Sequence, residues 1–188
     1  SFVSFVSMLC AGSAALAQAP VPKSPVHSPL VKEGATVKIS DSVYLIPDEK
    51  VGMVPNVGII VGTRGTLIYD PGMGPKSGEA VLREARKLAK GKDLYIVNSH
   101  FHPEHTTGEA AFPADTIIIR AAAQQQDIEE LGLKCVQTFA SRSPVIADAL
   151  DGYKAFRKPT EVFQKERMLD LGGVHVRIVR LGPGHTRG

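Results

Sequence analysis

Asp93-Leu94-Tyr95-Ile96-Val97-Asn98-Ser99-His100-Phe101-His102-Pro103-Glu104-His105 is an apolar strand that runs directly into a cluster of metal-ligand side chains. Residues 93–97 read as a buried strand, and three histidines with one carboxylate follow within six residues of its carboxyl end. In an extended loop His100 and His102 project to the same side, so their imidazoles can share one metal ion. Pro103 ends the extension and turns the backbone, which aims Glu104 and His105 at a neighbouring point. The loop therefore carries ligands for one metal and part of a second. A structural zinc site closes its four positions, usually with cysteine, and no cysteine is near this loop. Histidine with carboxylate, leaving a position for water, is the catalytic pattern. Zinc in such a site lowers the pKa of its water to about 7, which supports hydrolysis near neutral pH. Thr106-Thr107-Gly108-Glu109 fits a capping box, with Thr106 as the cap and Glu109 reaching back, so a helix is expected to hold the loop from beneath.

Upstream, residues 78–90 form an amphipathic helix: Val81, Leu82, Ala85, Leu88 and Ala89 make one apolar stripe, with Ser77 as expected N-cap and Gly91 as stop. Residues 36–39 and 43–46 read as short strands. Residues 56–62 and 66–70 read as a hairpin that Asp70-Pro71-Gly72 ends sharply. Downstream come a strand over 116–119, a helix over 121–131 closed by Gly132, and a second helix over 134–140. Residues 141–160 are interrupted by Pro144 and Pro159, and 166–171 and 174–181 form a hairpin about Gly172-Gly173. Strand–helix–strand units mixed with hairpins imply an α/β layered fold. His175 falls on the outward face of its strand by alternation and reads as a surface residue.

The run His100-x-His102-x-Glu104-His105 resembles the signature of the metallo-β-lactamase superfamily, usually His-x-His-x-Asp-His. The stretch from Asn56 to Gly72 is similar to that family's early hairpin, which ends in an acid, here Asp70. Gly182-Pro183-Gly184-His185-Thr186-Arg187-Gly188 is similar to the loop carrying its third histidine. The resemblance covers residues 36–188. It implies an αββα sandwich, of which this chain is an incomplete piece lacking the C-terminal part. It also implies His100, His102 and His185 on a first metal, Glu104 and His105 at a second, and Asp70 as an acid steadying the ligands from behind. Glu104 stands where the family usually has aspartate. The added methylene shifts the carboxylate by about a bond length, so operation with one metal or with two stays open. Glu104 is also the residue placed to orient water or carry a proton to the leaving group. Di-iron members of the family resemble His-x-Glu-x-Asp-His; histidine at position 102 favours zinc.

The chain has 188 residues, 43% hydrophobic and 22% charged, with a formal charge of +3. That composition suits one globular domain, and the scattered basic residues and missing tryptophan argue against a nucleic-acid partner. Residues 1–17 read as the remnant of a signal peptide, with cleavage expected after Ala17. Residues 18–34 read as a proline-rich linker and 35–188 as a truncated metallo-β-lactamase-like domain. A periplasmic or secreted location follows, with no membrane association once the signal is removed. Cys10 leaves with that signal, so Cys135 has no partner for a disulfide and reads as a small apolar residue. The expected function is an exported zinc hydrolase acting through metal-bound hydroxide on a small-molecule carbonyl or ester such as a β-lactam, lactone or thioester. The alternative is an exported metal-binding accessory protein without turnover.

Overall fold

The structure, a computed structural model, describes residues 27–187; the expected signal peptide and the first part of the linker lie outside the described residues. Strands β1 (Val37–Lys38), β2 (Val43–Ile46), β3 (Val57–Val61) and β4 (Gly65–Tyr69) pair antiparallel in chain order. Strands β5 (Asp93–Val97), β6 (Ile117–Ala121) and β7 (Glu161–Phe163) then add in parallel, completing a sheet of seven among the described residues. Parallel neighbours need crossover connections. Helix α1 (Gly74–Leu88) supplies the first, between β4 and β5. Helix α2 (Pro103–Thr106), prolonged by a 3-10 turn over Thr107–Ala111, supplies the second. The third contains α3 (Ala122–Asp127), α4 (Leu133–Ala140) and α5 (Pro144–Ala149). Strands β8 (Glu166–Asp170) and β9 (His175–Val179) form a separate antiparallel ribbon, and His175 is exposed at its start as its alternation implied.

Alternation along the strands divides the apolar side chains between two cores. Ile59, Ile68, Ile96 and Ile118 pack with Val81, Leu82 and Ala85 of α1. Leu67, Val97, Ile119 and Phe163 face the other way and are covered by Leu169 and Leu171 from the ribbon. Burial on both faces is why 117–119 reads Ile-Ile-Ile instead of alternating with polar residues. Each such side chain contributes roughly 1.5–3 kcal/mol on leaving water.

The ribbon is fastened to the sheet at its turn. The backbone N–H groups of Arg64 and Gly65 donate to the Leu171 carbonyl at 2.9 and 3.1 Å, and that of Thr63 donates to Gly172 at 3.0 Å. This approach requires glycine at position 62, where a Cβ would lie 2.1 Å from the Leu171 carbonyl oxygen.

Four local expectations are corrected. Helix α1 begins at Gly74, one turn before Ser77; Met73 stands at the N-cap with no side-chain cap bond, and Pro75, whose fixed φ suits a first turn, leads the helix. Ser77 is instead fully buried, its Oγ accepting from the Val31 N–H at 3.3 Å. That bond also shows that the end of the proline-rich stretch lies against α1, with Val31 in the core. Gly132 does not close a helix: the chain stays helical through a π turn over Ile128–Gly132 and into α4. Glycine lets the Phe156 ring approach closely there, since a Cβ would meet its edge at 2.7 Å. The capping box does not form either. Thr106 Oγ1 donates to the His102 carbonyl at 2.8 Å, and Glu109 is buried in an ion pair with Arg120. The helix starts earlier, at Pro103, so Thr106 is already inside it.

Candidate metal centre

The site lies at the carboxyl ends of the parallel strands, where open α/β sheets commonly hold their ligands. Asp70 directly follows β4, Asn98 to His105 follow β5, and His185 arrives from the loop after β9. His100, His102 and His185 converge so that one nitrogen from each lies within 4.8 Å of the others, and His100, Glu104 and His105 do the same with one ligand atom apiece. His100 belongs to both groups, so they are adjacent halves of one cluster. The Nε2 atoms of His100 and His185 are 3.1 Å apart. Two imidazole nitrogens on a tetrahedral zinc, each about 2.05 Å from the metal, stand about 3.3 Å apart, so this spacing is close to that of ligands sharing one ion.

The chain fixes which ring nitrogen of two histidines faces inward. The Nδ1 of His105 is 2.8 Å from Asp70 Oδ2. A carboxylate only accepts, so Nδ1 carries the proton and Nε2 offers its lone pair to the cluster. His100 Nδ1 is paired with Ser99 Oγ at 3.0 Å, which likewise turns Nε2 toward His185. Asp70 is 3% exposed and holds a left-handed backbone with φ 59°, a conformation asparagine and aspartate tolerate best. Its second oxygen accepts the Ser99 N–H at 2.7 Å, and Asn98 Nδ2 donates to the His105 carbonyl at 2.7 Å. Sequence reasoning singled out Asp70 but missed Ser99 and Asn98. Their position beside the first histidine was the only available signal.

The electrostatics suit a cation. Burial, reinforced by His105, His102 and His185, pushes the His100 pKa down to about 3. Burial, then His185, His105 and Arg142, lowers that of His102 to about 4. Both rings are therefore unprotonated at neutral pH and ready to act as ligands. Burial raises the Glu104 pKa, against the opposing pull of its own backbone N–H and of nearby His105. Glu104 Oε1 is 3.9 Å from both His102 Nδ1 and His105 Nε2, and Oε2 is buried with no hydrogen-bond partner. An orphaned buried carboxylate oxygen on a residue beside His100, His102 and His105 fits a cation site.

His185 is exposed, and the chain holds its loop through the next residue but one. Arg187 donates from its backbone N–H to Asp127 at 3.0 Å, and its guanidinium engages both Asp127 and Glu130. Beneath the site, Glu109 and Arg120 form a fully buried pair at 2.5 Å, and the other Glu109 oxygen accepts the Arg157 N–H at 2.8 Å. This network fixes the 3-10 turn that follows the histidine loop. Sequence reasoning gave no sign of it.

The sequence profile of the metallo-beta-lactamase superfamily matches residues 51–188. Among solved structures, the chain is similar to the subclass B3 metallo-beta-lactamase BJP-1 of Bradyrhizobium japonicum, at 20% identity and a TM-score of 0.58, covering 85% of this chain and 56% of that one. It is similar to native FEZ-1 metallo-beta-lactamase from Legionella gormanii, at 21% identity and a TM-score of 0.60, covering 85% and 57%. It is also similar to the metallo-beta-lactamase GOB-18 from Elizabethkingia meningoseptica, at 16% identity and a TM-score of 0.60, covering 94% and 60%. The fold is thus a partial version of theirs, and the chain spans less than two thirds of their length. No curated protein matches the chain. Among the described residues, no helix is long and apolar enough to cross a membrane.

Proposed function

Because the chain belongs to the metallo-beta-lactamase superfamily, we propose that the whole protein is an exported zinc-dependent hydrolase of a small-molecule carbonyl or ester bond: β-lactam, lactone, thioester or similar. The observation that carries this reading is the convergence of His100, His102 and His185 beside the unpartnered Glu104 oxygen. His100, His102 and His185 would hold a first ion, with Glu104 and His105 beside them for a second. A nitrogen-rich donor set without thiolate suits zinc. When bound, zinc acidifies a water molecule and polarises a carbonyl oxygen.

The chain's own residues do the rest. Asp70 keeps the proton of His105 on Nδ1 and so fixes the ring's orientation and tautomer. Ser99 holds the orientation of the His100 ring through its hydroxyl. Glu104 is the proton carrier: burial makes its carboxyl take up a proton more readily than an exposed acid. In this reading Glu104 takes a proton from the attacking water and passes it to the leaving group, a role that its unpartnered Oε2 supports. Export rests on residues 1–17, an uncharged apolar stretch ending in a small-x-small pattern.

The test is metal content together with hydrolysis by the whole mature protein on β-lactam, lactone and thioester panels, before and after chelation, with His102→Ala as control. Chelator-sensitive turnover that the variant loses supports the hydrolase. Stoichiometric metal with no turnover on any panel would replace it with the metal-binding accessory protein, and absence of bound metal would remove both.

A further inference from the structure

The loop that brings His185 to the cluster has little apolar anchorage. Leu181 is 95% exposed, Pro183 is exposed, and a Cβ at Gly182 or Gly184 would meet nothing within 4 Å. Its fastening is polar and lies two residues past the histidine. The Arg187 backbone N–H donates to Asp127 Oδ2 at 3.0 Å, and its Nε engages Oδ1 of the same carboxylate. The two Nη atoms engage Glu130, which Gln126 Nε2 also holds at 2.8 Å. From the other side Arg180 Nη2 donates to the Arg187 carbonyl at 2.5 Å, closing the base of the loop. Asp127 ends α3 and Glu130 lies in the π turn that follows it. Asp127 is 2% exposed, so its charge depends on this clamp more than on water. That charge is felt at His102, where it opposes the lowering of the pKa by burial.

We propose that Arg187 is a positioning residue of the metal centre: its clamp on Asp127 and Glu130 presents His185 in place for the first ion, and so sets how tightly that ion is held. The proposal rests on His185 being a ligand of that centre; Arg187 itself touches neither metal nor substrate. A ligand on a loose loop has to be ordered as the metal binds, and that entropy cost weakens binding; a ligand already held avoids it. Charge alone works the other way. Without the guanidinium, Asp127 loses its counter-charge and would draw a cation toward His102 more strongly. The two effects differ in sign.

The experiment is zinc affinity of the whole protein by chelator competition, with the absorption spectrum of the cobalt form as a second readout. Arg187→Met should weaken zinc binding about 10- to 100-fold, and its cobalt spectrum should move toward that of His185→Ala. Arg187→Lys keeps the charge without the planar fork, so it should fall between the two, and it carries the test if the methionine variant does not fold. In the His185→Ala background, Arg187→Met should cause no further loss, because no ligand remains for the clamp to hold. Unchanged or tighter zinc binding in the Arg187 variants, or an equal loss in the His185→Ala background, overturns the clamp and leaves the metal centre standing. No zinc bound by the unmodified protein overturns the metal centre and the clamp together.

Discussion

Glu109→Ala tests whether the buried charges beneath the histidine loop hold that loop in place. Both Glu109 and Arg120 have no exposed side-chain surface, and they meet at 2.5 Å. Removing the carboxylate leaves the Arg120 guanidinium with only the Gln125 side chain and the Arg157 carbonyl as partners, at 3.1 and 2.7 Å. It also orphans the Arg157 N–H. Breaking one side of a buried pair costs about 3–5 kcal/mol, and losing the hydrogen bond of the half-buried Arg157 N–H about 0.5–1.5 kcal/mol. A loss of at least about 3.5 kcal/mol is expected, a large part of the roughly 5–15 kcal/mol that holds a domain together. Urea unfolding of the metal-free protein measures it: with a slope near 2 kcal/mol per molar, the midpoint should fall by about 2 M. Arg120→Met should be destabilising as well, and the double variant should lose less than the sum, with a coupling of at least about 2 kcal/mol. A loss below about 1 kcal/mol for Glu109→Ala, or strict additivity in the cycle, would refute the reasoning.

Other consequences are equally open to measurement. Because the folded-state values of His100 and His102 lie below the ordinary value of 6.5, the unfolded chain binds more protons in acid. Stability of the metal-free protein should be full above pH 6.5 and fall as pH drops toward about 4 and then 3, as urea midpoints at pH 7 and 5 will show. For the same reason zinc binding at pH 6 should displace almost no protons from these two rings, whereas two ordinary imidazoles would release about 1.5; calorimetry in buffers of different ionisation enthalpy counts them. Asp70→Asn keeps the left-handed backbone but puts an amide N–H₂ against either His105 Nδ1 or the Ser99 N–H; metal affinity by chelator competition should fall about 10- to 100-fold. Gly62→Ala drives a methyl into the Leu171 carbonyl and should cost about 3 kcal/mol, read as a lower thermal midpoint.

The strands were readable because burial on two faces leaves long runs of β-branched residues, as in residues 117–119, and β5 falls on the residues that its apolar run marked. The histidine cluster was readable because three of its histidines share one loop and so lie close in sequence. His185 was reachable only through likeness to a family, since the sheet and ribbon bring it back across 85 residues. Helix boundaries failed where a polar residue had two possible uses. Ser77 and Thr106 are good caps in isolation, but both sit inside their helices and satisfy their hydroxyls on other backbone groups. Gly132 failed as a stop because close packing against Phe156 also favours glycine. The Glu109–Arg120 pair was invisible because nothing in the spacing of an acid and a base eleven residues apart marks them as partners.

The 85-residue separation of His100 and His185 gives a metal held between them a mechanical role. A cross-link closing a loop of that length removes about 4.6 kcal/mol of chain entropy from the unfolded ensemble. One end of the loop is rooted in the main sheet and the other in the ribbon, so the ion would add a rivet between two layers already joined at the Leu171 turn, by apolar contact, and by the ion pairs of Arg64, Arg167 and Arg187. Loss of the ion would then first loosen the layer that carries His185, leaving His100, His102 and His105 on their own loop as the landing place for the next ion.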